Sequence, residues 1–204
     1  MRFSLFKKSR VQSQPAKKIE RPVFHKTILA ISDLHDREDI PRLESQPDLV
    51  LCLGDIHHYD LEDIDEYYSC PKFGVLGNHD APDSFKGTSI VNMHSKIVEI
   101  EGITIAGFGG CLRYNTKNHG QYTEEECAFF LNSIGHVDIF MAHGNPRYEL
   151  ESRDVSHAGF QSFNDYIIRT QPTYFFHGHI HKQQTVEFGN TKIFSVYPHS
   201  KITV

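Results

Sequence analysis

Seven residues spread along this chain, Asp33, His35, Asp55, Asn78, His143, His179 and His181, offer oxygen and nitrogen donors and no thiolate. That mixture suits first-row divalent ions such as Mn, Fe or Zn. Ca and Mg favour all-oxygen sites, and a structural zinc takes cysteines. Seven donors exceed what one tetrahedral ion needs and match two ions that share a bridging carboxylate. Two such ions, roughly 3.5–4 Å apart, clamp a phosphoryl group and lower the pKa of a water between them. The densest stretch is Phe175-Phe176-His177-Gly178-His179-Ile180-His181, three imidazoles within five residues directly after an aromatic run.

The elements that must position these donors are strands. Lys26 to Ile31, Asp48 to Leu53, Lys72 to Leu76, Asp138 to Ala142 and Tyr174 to Phe176 are apolar runs of strand length. Each ends in a polar cluster: Asp33/His35, Asp55, Asn78/His79, His143, and His179/His181 in turn. In open α/β sheets, sites assemble at the carboxyl ends of strands. Lys96 to Ile100 and Ile103 to Phe108 flank Glu101-Gly102, a hairpin signal, and Thr185 to Phe188 pairs with Lys192 to Val196 across Gly189-Asn190. Ile202 to Val204 adds an edge strand. Thr123 begins a helix with Glu124, Glu125 and Glu126 in its first turn, where acids favour the helix dipole. Phe160 to Arg169 reads as a second helix.

The ordered set Asp33-x-His35, Gly54-Asp55, Gly77-Asn78-His79-Asp80, a strand-ending His143 and Gly178-His179-Ile180-His181 resembles the calcineurin-like metallophosphoesterase superfamily. Each short motif alone is weak, but five in the family's order, each after a strand, are specific. The resemblance implies an α/β fold of two mixed sheets packed as a sandwich and flanked by helices. It implies that Asp33, His35 and His181 bind a first ion, that Asn78, His143 and His179 bind a second, and that Asp55 bridges them, with Mn favoured. A metal-bridging hydroxide would attack phosphorus in line, and His79, outside the ligand set, would act as general acid with Asp80 as its orienter. The expected substrate is a small phosphate ester, a phosphodiester of cyclic-nucleotide or nucleotide type first. A phosphomonoesterase, a nuclease, or a scaffold that keeps the fold without catalysis are the rivals. One departure is Asn145, in His143-Gly144-Asn145-Pro146, where many relatives carry proline; it bears on loop shape and substrate choice.

Other residues have two readings each. Arg113 follows the glycine-rich stretch Phe108-Gly109-Gly110, and a planar cation on such a loop can hold a phosphate oxygen. His57 and His58 follow Asp55, and either face substrate or belong to a solvated loop. His157 either touches the site or begins a helix. His177 has no place in the pattern and reads as structural. Gly178 removes side-chain bulk where backbone must approach the ions.

Composition bounds the rest. The 204 residues, 39% hydrophobic and 23% charged, suit one soluble domain over residues 23–204. Residues 1–22 hold seven basic residues and only Glu20 as acid, and read as a disordered tail able to touch an anionic polymer or surface. Taking these from the totals leaves 14 basic against 25 acidic residues. An acidic body argues against broad nucleic-acid binding and fits a carboxylate-rich cation site. No apolar run approaches the roughly 20 residues of a membrane helix, and no apolar segment follows the basic start as in a secretory signal. Cys52, Cys70, Cys111 and Cys127 lie far apart, neither a disulfide framework nor a zinc motif. Reduced cysteines and the missing signal make the cytoplasm the expected location.

Overall fold

A computed structural model describes residues 24–34, 39–116, 119–147 and 154–204. The basic tail and His35 lie outside the described residues. Among the described residues, thirteen strands and three helices follow in the order β1 (Thr27–Ile31), β2 (Leu49–Cys52), α1 (His58–Tyr67), β3 (Lys72–Gly74), β4 (Val91–Asn92), β5 (Lys96–Ile100), β6 (Ile103–Phe108), β7 (Cys111–Leu112), β8 (Gln121–Tyr122), α2 (Glu124–Asn132), β9 (Ile139–Ala142), α3 (Gln161–Thr170), β10 (Tyr174–His177), β11 (Gln184–Phe188), β12 (Thr191–Ser195) and β13 (His199–Thr203).

Two mixed sheets pack face to face. One runs β13-β1-β2-β3-β4, the other β11-β12-β10-β9-β6-β5, and β7 and β8 form a small separate pair. β1 to β4 are parallel, as are β6, β9, β10 and β12, while β13, β11 and β5 pair antiparallel at the edges. Parallel strands covered on both faces must be apolar throughout, which is why β1, β2 and β9 are continuous apolar runs.

The pleat sorts those runs between layers. Ile28, Ala30 and Leu51 of one sheet meet Ile105, Ile139, Met141 and Phe176 of the other in the central core. Their alternate neighbours Leu29, Ile31, Val50 and Cys52 pack on Leu61, Ile64 and Tyr68 of the α1 layer. Phe140, Ala142 and Phe175 pack on α2 and α3 through Cys127, Leu131, Phe163 and Ile167. The result is helix, sheet, sheet, helix. Burying these faces supplies the main drive to fold, about 25 cal/mol per Å² of apolar surface.

Helix ends are secured by side chains from elsewhere. Thr123 and Glu126 form a reciprocal capping box at α2. The start of α3, headed by Phe160 with no side-chain cap, is closed by Glu124, whose carboxylate accepts from Gln161 N–H (2.8 Å) and Ser162 N–H (3.0 Å). The hairpin between β5 and β6 turns through Glu101 and Gly102, both at positive φ. Among the described residues all four cysteines are free thiols, and burial pushes Cys52 up to about 12. No helix among the described residues is long and apolar enough to cross a membrane.

Candidate metal centre

The ends of the parallel strands deliver the donors. Ile31 pairs with Cys52 and Cys52 with Gly74, so β1, β2 and β3 finish level, and Asp33, Asp55 and Asn78 follow them from one sheet. β9 and β10 finish side by side in the other, followed by His143 and by His179 and His181. Donor atoms of Asp55, His143 and His179 lie within 4.8 Å of one another, and all three residues are buried.

Hydrogen bonds decide which atoms point inward. His143 Nδ1 lies 2.8 Å from the Leu53 carbonyl and donates to it, so Nε2 is the nitrogen turned to the site and the one that can offer a lone pair to an ion. Nε2 faces Asn78 Oδ1 at 3.0 Å and Asp55 Oδ2 at 3.3 Å. His179 donates from Nε2 to the Ser156 carbonyl at 2.9 Å, which leaves Nδ1. Asp33 Oδ2 accepts from Ser32 Oγ (2.6 Å) and His179 N–H (2.9 Å). Asp33 Oδ1 is buried with no hydrogen-bond partner among the described residues, and His181 Nε2 stands 3.5 Å from it. A buried, unpartnered carboxylate oxygen beside lone pairs that face each other is the chemistry of a cation cradle, and these residues fit divalent metal.

The electrostatics agree. Burial alone would lower the His143 pKa, but Asp55, with Asp33 and Asp80, lifts it to about 9: the pocket favours positive charge. Burial would raise Asp55, yet His143 and the His79 main chain hold it well below the usual carboxylate range. Asp33 is likewise lowered against burial, by His181 and His143. Burial and neighbouring His143 bring His179 down to about 3, leaving it the neutral imidazole a ligand must be.

The backbone here is strained and crowded. Asp33 (φ 58), Asp55 (φ 53), His179 (φ 70) and His181 (φ 47) all adopt the left-handed region, which costs a non-glycine residue about 1–2 kcal/mol. Such strain persists only where surrounding bonds over-determine it. A Cβ at Gly178 would fall 1.8 Å from Ser32 Oγ and 2.8 Å from Asp33 Oδ2, and one at Gly77 would fall 2.0 Å from Asp55 Oδ1. The clearance expected at Gly178 therefore serves the Asp33 segment.

The remaining site residues divide. His79 is exposed, and its main-chain N–H donates to Asp55 Oδ1 at 2.8 Å. Asp80, expected beside His79 as its orienter, is buried and engages main-chain amides: Gly77 (2.7 Å) and Asp55 (2.9 Å) on Oδ2, Ile56 (3.0 Å) on Oδ1. It fastens the loop after β3 to the loop after β2. His57 is exposed at the end of the loop after β2, as the solvated-loop reading has it, directly before α1 opens at His58, and it lies outside the three-residue donor group. Arg113 turns its guanidinium to the Gln121 carbonyl (3.3 Å) and Glu126 (3.4 Å). The hydroxyl of its neighbour Tyr114 lies near Asp55, Asn115 and Asn78, and burial raises its pKa. Nothing in a lone Tyr marks it in sequence. His177 is fully buried, with Nδ1 3.0 Å from the Gly178 carbonyl, and burial brings it to about 4.

Comparison with known proteins places this architecture. Residues 27–198 match the calcineurin-like phosphoesterase superfamily domain. An uncharacterized protein of Haemophilus influenzae is 25% identical over 198 residues, covering 78% of this chain and 84% of that one. The structure of a phosphopantetheinyl hydrolase from Mycobacterium tuberculosis superposes with a TM-score of 0.61 at 14% identity, covering 87% of this chain and 96% of the other. That of TT1561 from Thermus thermophilus gives 0.58 at 16% identity, covering 85% and 89%. Likeness at such identity speaks for the fold alone.

Proposed function

The chain belongs to the calcineurin-like phosphoesterase superfamily, and on that premise we propose that it hydrolyses phosphate esters, phosphodiesters of nucleotide type first, at a site for two divalent transition-metal ions, Mn favoured. The observation that carries this is the meeting of the Asp55, His143 and His179 donors within 4.8 Å, next to an unpartnered Asp33 oxygen. In this reading Asp33 and His181, with His35, hold one ion. Asn78, His143 and His179 hold the other, and Asp55 lies between. Bound ions of this kind neutralise charge on a phosphoryl group and activate a water at neutral pH.

The chain's own groups do the rest. Leu53 and Ser156 carbonyls fix the tautomers of His143 and His179, so lone pairs face the centre without rearrangement. The bond from its main chain to Asp55 Oδ1 holds His79 at the rim, where its exposed ring can donate a proton to the departing ester oxygen. Asp80 keeps that loop in place. Tyr114 adds a hydroxyl beside Asn78.

Reconstitution with Mn²⁺ and elemental analysis should give about two ions per chain. A panel of bis-p-nitrophenyl phosphate, p-nitrophenyl phosphate, cyclic nucleotides and single-stranded DNA then ranks substrate classes, with the diesters expected first. Asp55→Ala should be the most damaging single ligand change, because it would touch both ions. Saturation at one ion sinks the dinuclear reading. Full loading with no turnover on any ester would make the chain a binding scaffold.

A further inference from the structure

The segment from residue 154 to 160 packs against the donors yet contains none of them. The Ser156 carbonyl receives the His179 Nε2 bond, and the His157 ring lies 4.7 Å from the His179 ring, tilted by 52°. His157 Nδ1 is 2.5 Å from Asp154 Oδ2. A carboxylate only accepts, so the proton of that bond belongs to Nδ1, and Nε2 is the nitrogen turned to other partners. Asp154 is itself fixed: its Oδ1 accepts from Ser156 N–H (3.1 Å) and the Ser156 hydroxyl (2.6 Å). Buried Asn145, the departure noted in sequence, ties this segment to the one carrying His143, donating from Nδ2 to the His157 carbonyl at 3.3 Å. The His157 side chain keeps 37% of its surface open. An exposed pair of this kind contributes little to stability. Its placement against a metal-site histidine asks for another account.

We propose that His157 is a substrate contact: its Nε2–H donates to a non-bridging oxygen of a phosphate ester seated over the donor cluster, and Asp154 is the positioning residue that fixes the ring. This rests on the phosphoesterase reading. The ligand class is a phosphate oxyanion. Docking of that anion brings a second proton from solvent onto Nε2, so that Nδ1 donates to the carboxylate and Nε2 to the phosphate oxygen, in the geometry of a charge-assisted bond. Asp154 thus serves binding through the ring.

Protein loaded with Mn²⁺ is titrated with inorganic phosphate by calorimetry and assayed on p-nitrophenyl phosphate and its diester. His157→Phe keeps a ring against His179 and removes both nitrogens. Phosphate Kd and ester KM should rise roughly tenfold, the size of one charge-assisted bond, with kcat changed less and metal content as in the wild type. His157→Gln restores a donor and should recover part of the loss; Asp154→Asn, at an exposed position, should weaken phosphate by a smaller factor. Unchanged Kd and KM in His157→Phe overturn the contact. Loss of metal in that variant also overturns it, since the ring would then support His179. A wild type that takes up metal but neither binds phosphate nor cleaves either ester overturns the phosphoesterase reading as well, whereas an active wild type with indifferent variants removes the His157 contact alone.

Discussion

His143 bonds the Leu53 carbonyl through Nδ1 and His179 bonds the Ser156 carbonyl through Nε2, so opposite nitrogens of the two rings are left for an ion. Asp33 repeats the logic, with Oδ2 bonded and Oδ1 without a hydrogen-bond partner among the described residues. His79, exposed and outside the donor group, should behave differently from a ligand. His79→Ala is expected to keep its metal and to lose roughly 10²–10⁴-fold on an alkyl phosphate ester, the usual size of general acid catalysis. A nitrophenyl ester, whose leaving group departs without a proton, should lose much less. Equal losses in kcat/KM on both, with metal retained, would refute the acid role. His94 supplies a test away from the centre. Its Nδ1 accepts from Gly109 N–H at 3.1 Å, and burial, helped by Lys96, lowers its pKa below 6.5. Below that pH the unfolded chain takes up the proton more readily, so stability present above pH 6.5 is lost as pH falls. His94→Gln, which keeps an acceptor and cannot titrate, should show a flatter melting-temperature profile over about pH 5–7; parallel profiles would remove His94 as the cause. Asp55, His143 and His179, whose donor atoms the structure brings together, were legible in sequence because few residue types ligate such ions and each follows a strand. Tyr114 and the amide-binding role of Asp80 were not, since both depend on side-chain direction.

Among elements, the strands with continuous apolar runs and the two hairpins stand where the sequence puts them, within a residue or two. Parallel strands declare themselves by being apolar on both faces. The helix α1 escaped notice because His57 supplies no side-chain cap and only Leu61 and Ile64 within it are buried, between acidic residues. The two-residue strands β4, β7 and β8 are too short to show periodicity. The turn after β10 is the element most exposed to a single change. Gly178→Ala places a methyl against Ser32 and Asp33 at distances no side chain tolerates. The expected outcome is loss of metal with the far-ultraviolet circular dichroism of the wild type, because the core lies in other layers. Undiminished metal content in that variant would show that the Asp33 segment can yield.

At the scale of the whole molecule, the candidate donors come from both sheets: Asp33, Asp55 and Asn78 follow β1, β2 and β3, while His143, His179 and His181 follow β9 and β10. An ion held by both ties one sheet to the other. Chelation should therefore lower the melting temperature of the whole domain in one transition, by the equivalent of about 2.7 kcal/mol where free metal had stood at 100 times its Kd. An unchanged melting curve after verified metal removal would show that the sheets hold together without the ion. The same arrangement orders events in time. Asp33 is held by a main-chain N–H 146 positions further along the chain, and contacts of such separation form late because a long loop must close first. A polypeptide halted before residue 177 carries Asp33, Asp55, Asn78 and His143 but cannot finish the cradle. In the two-ion reading proposed above, ion uptake would then mark a chain that has been extended through His181.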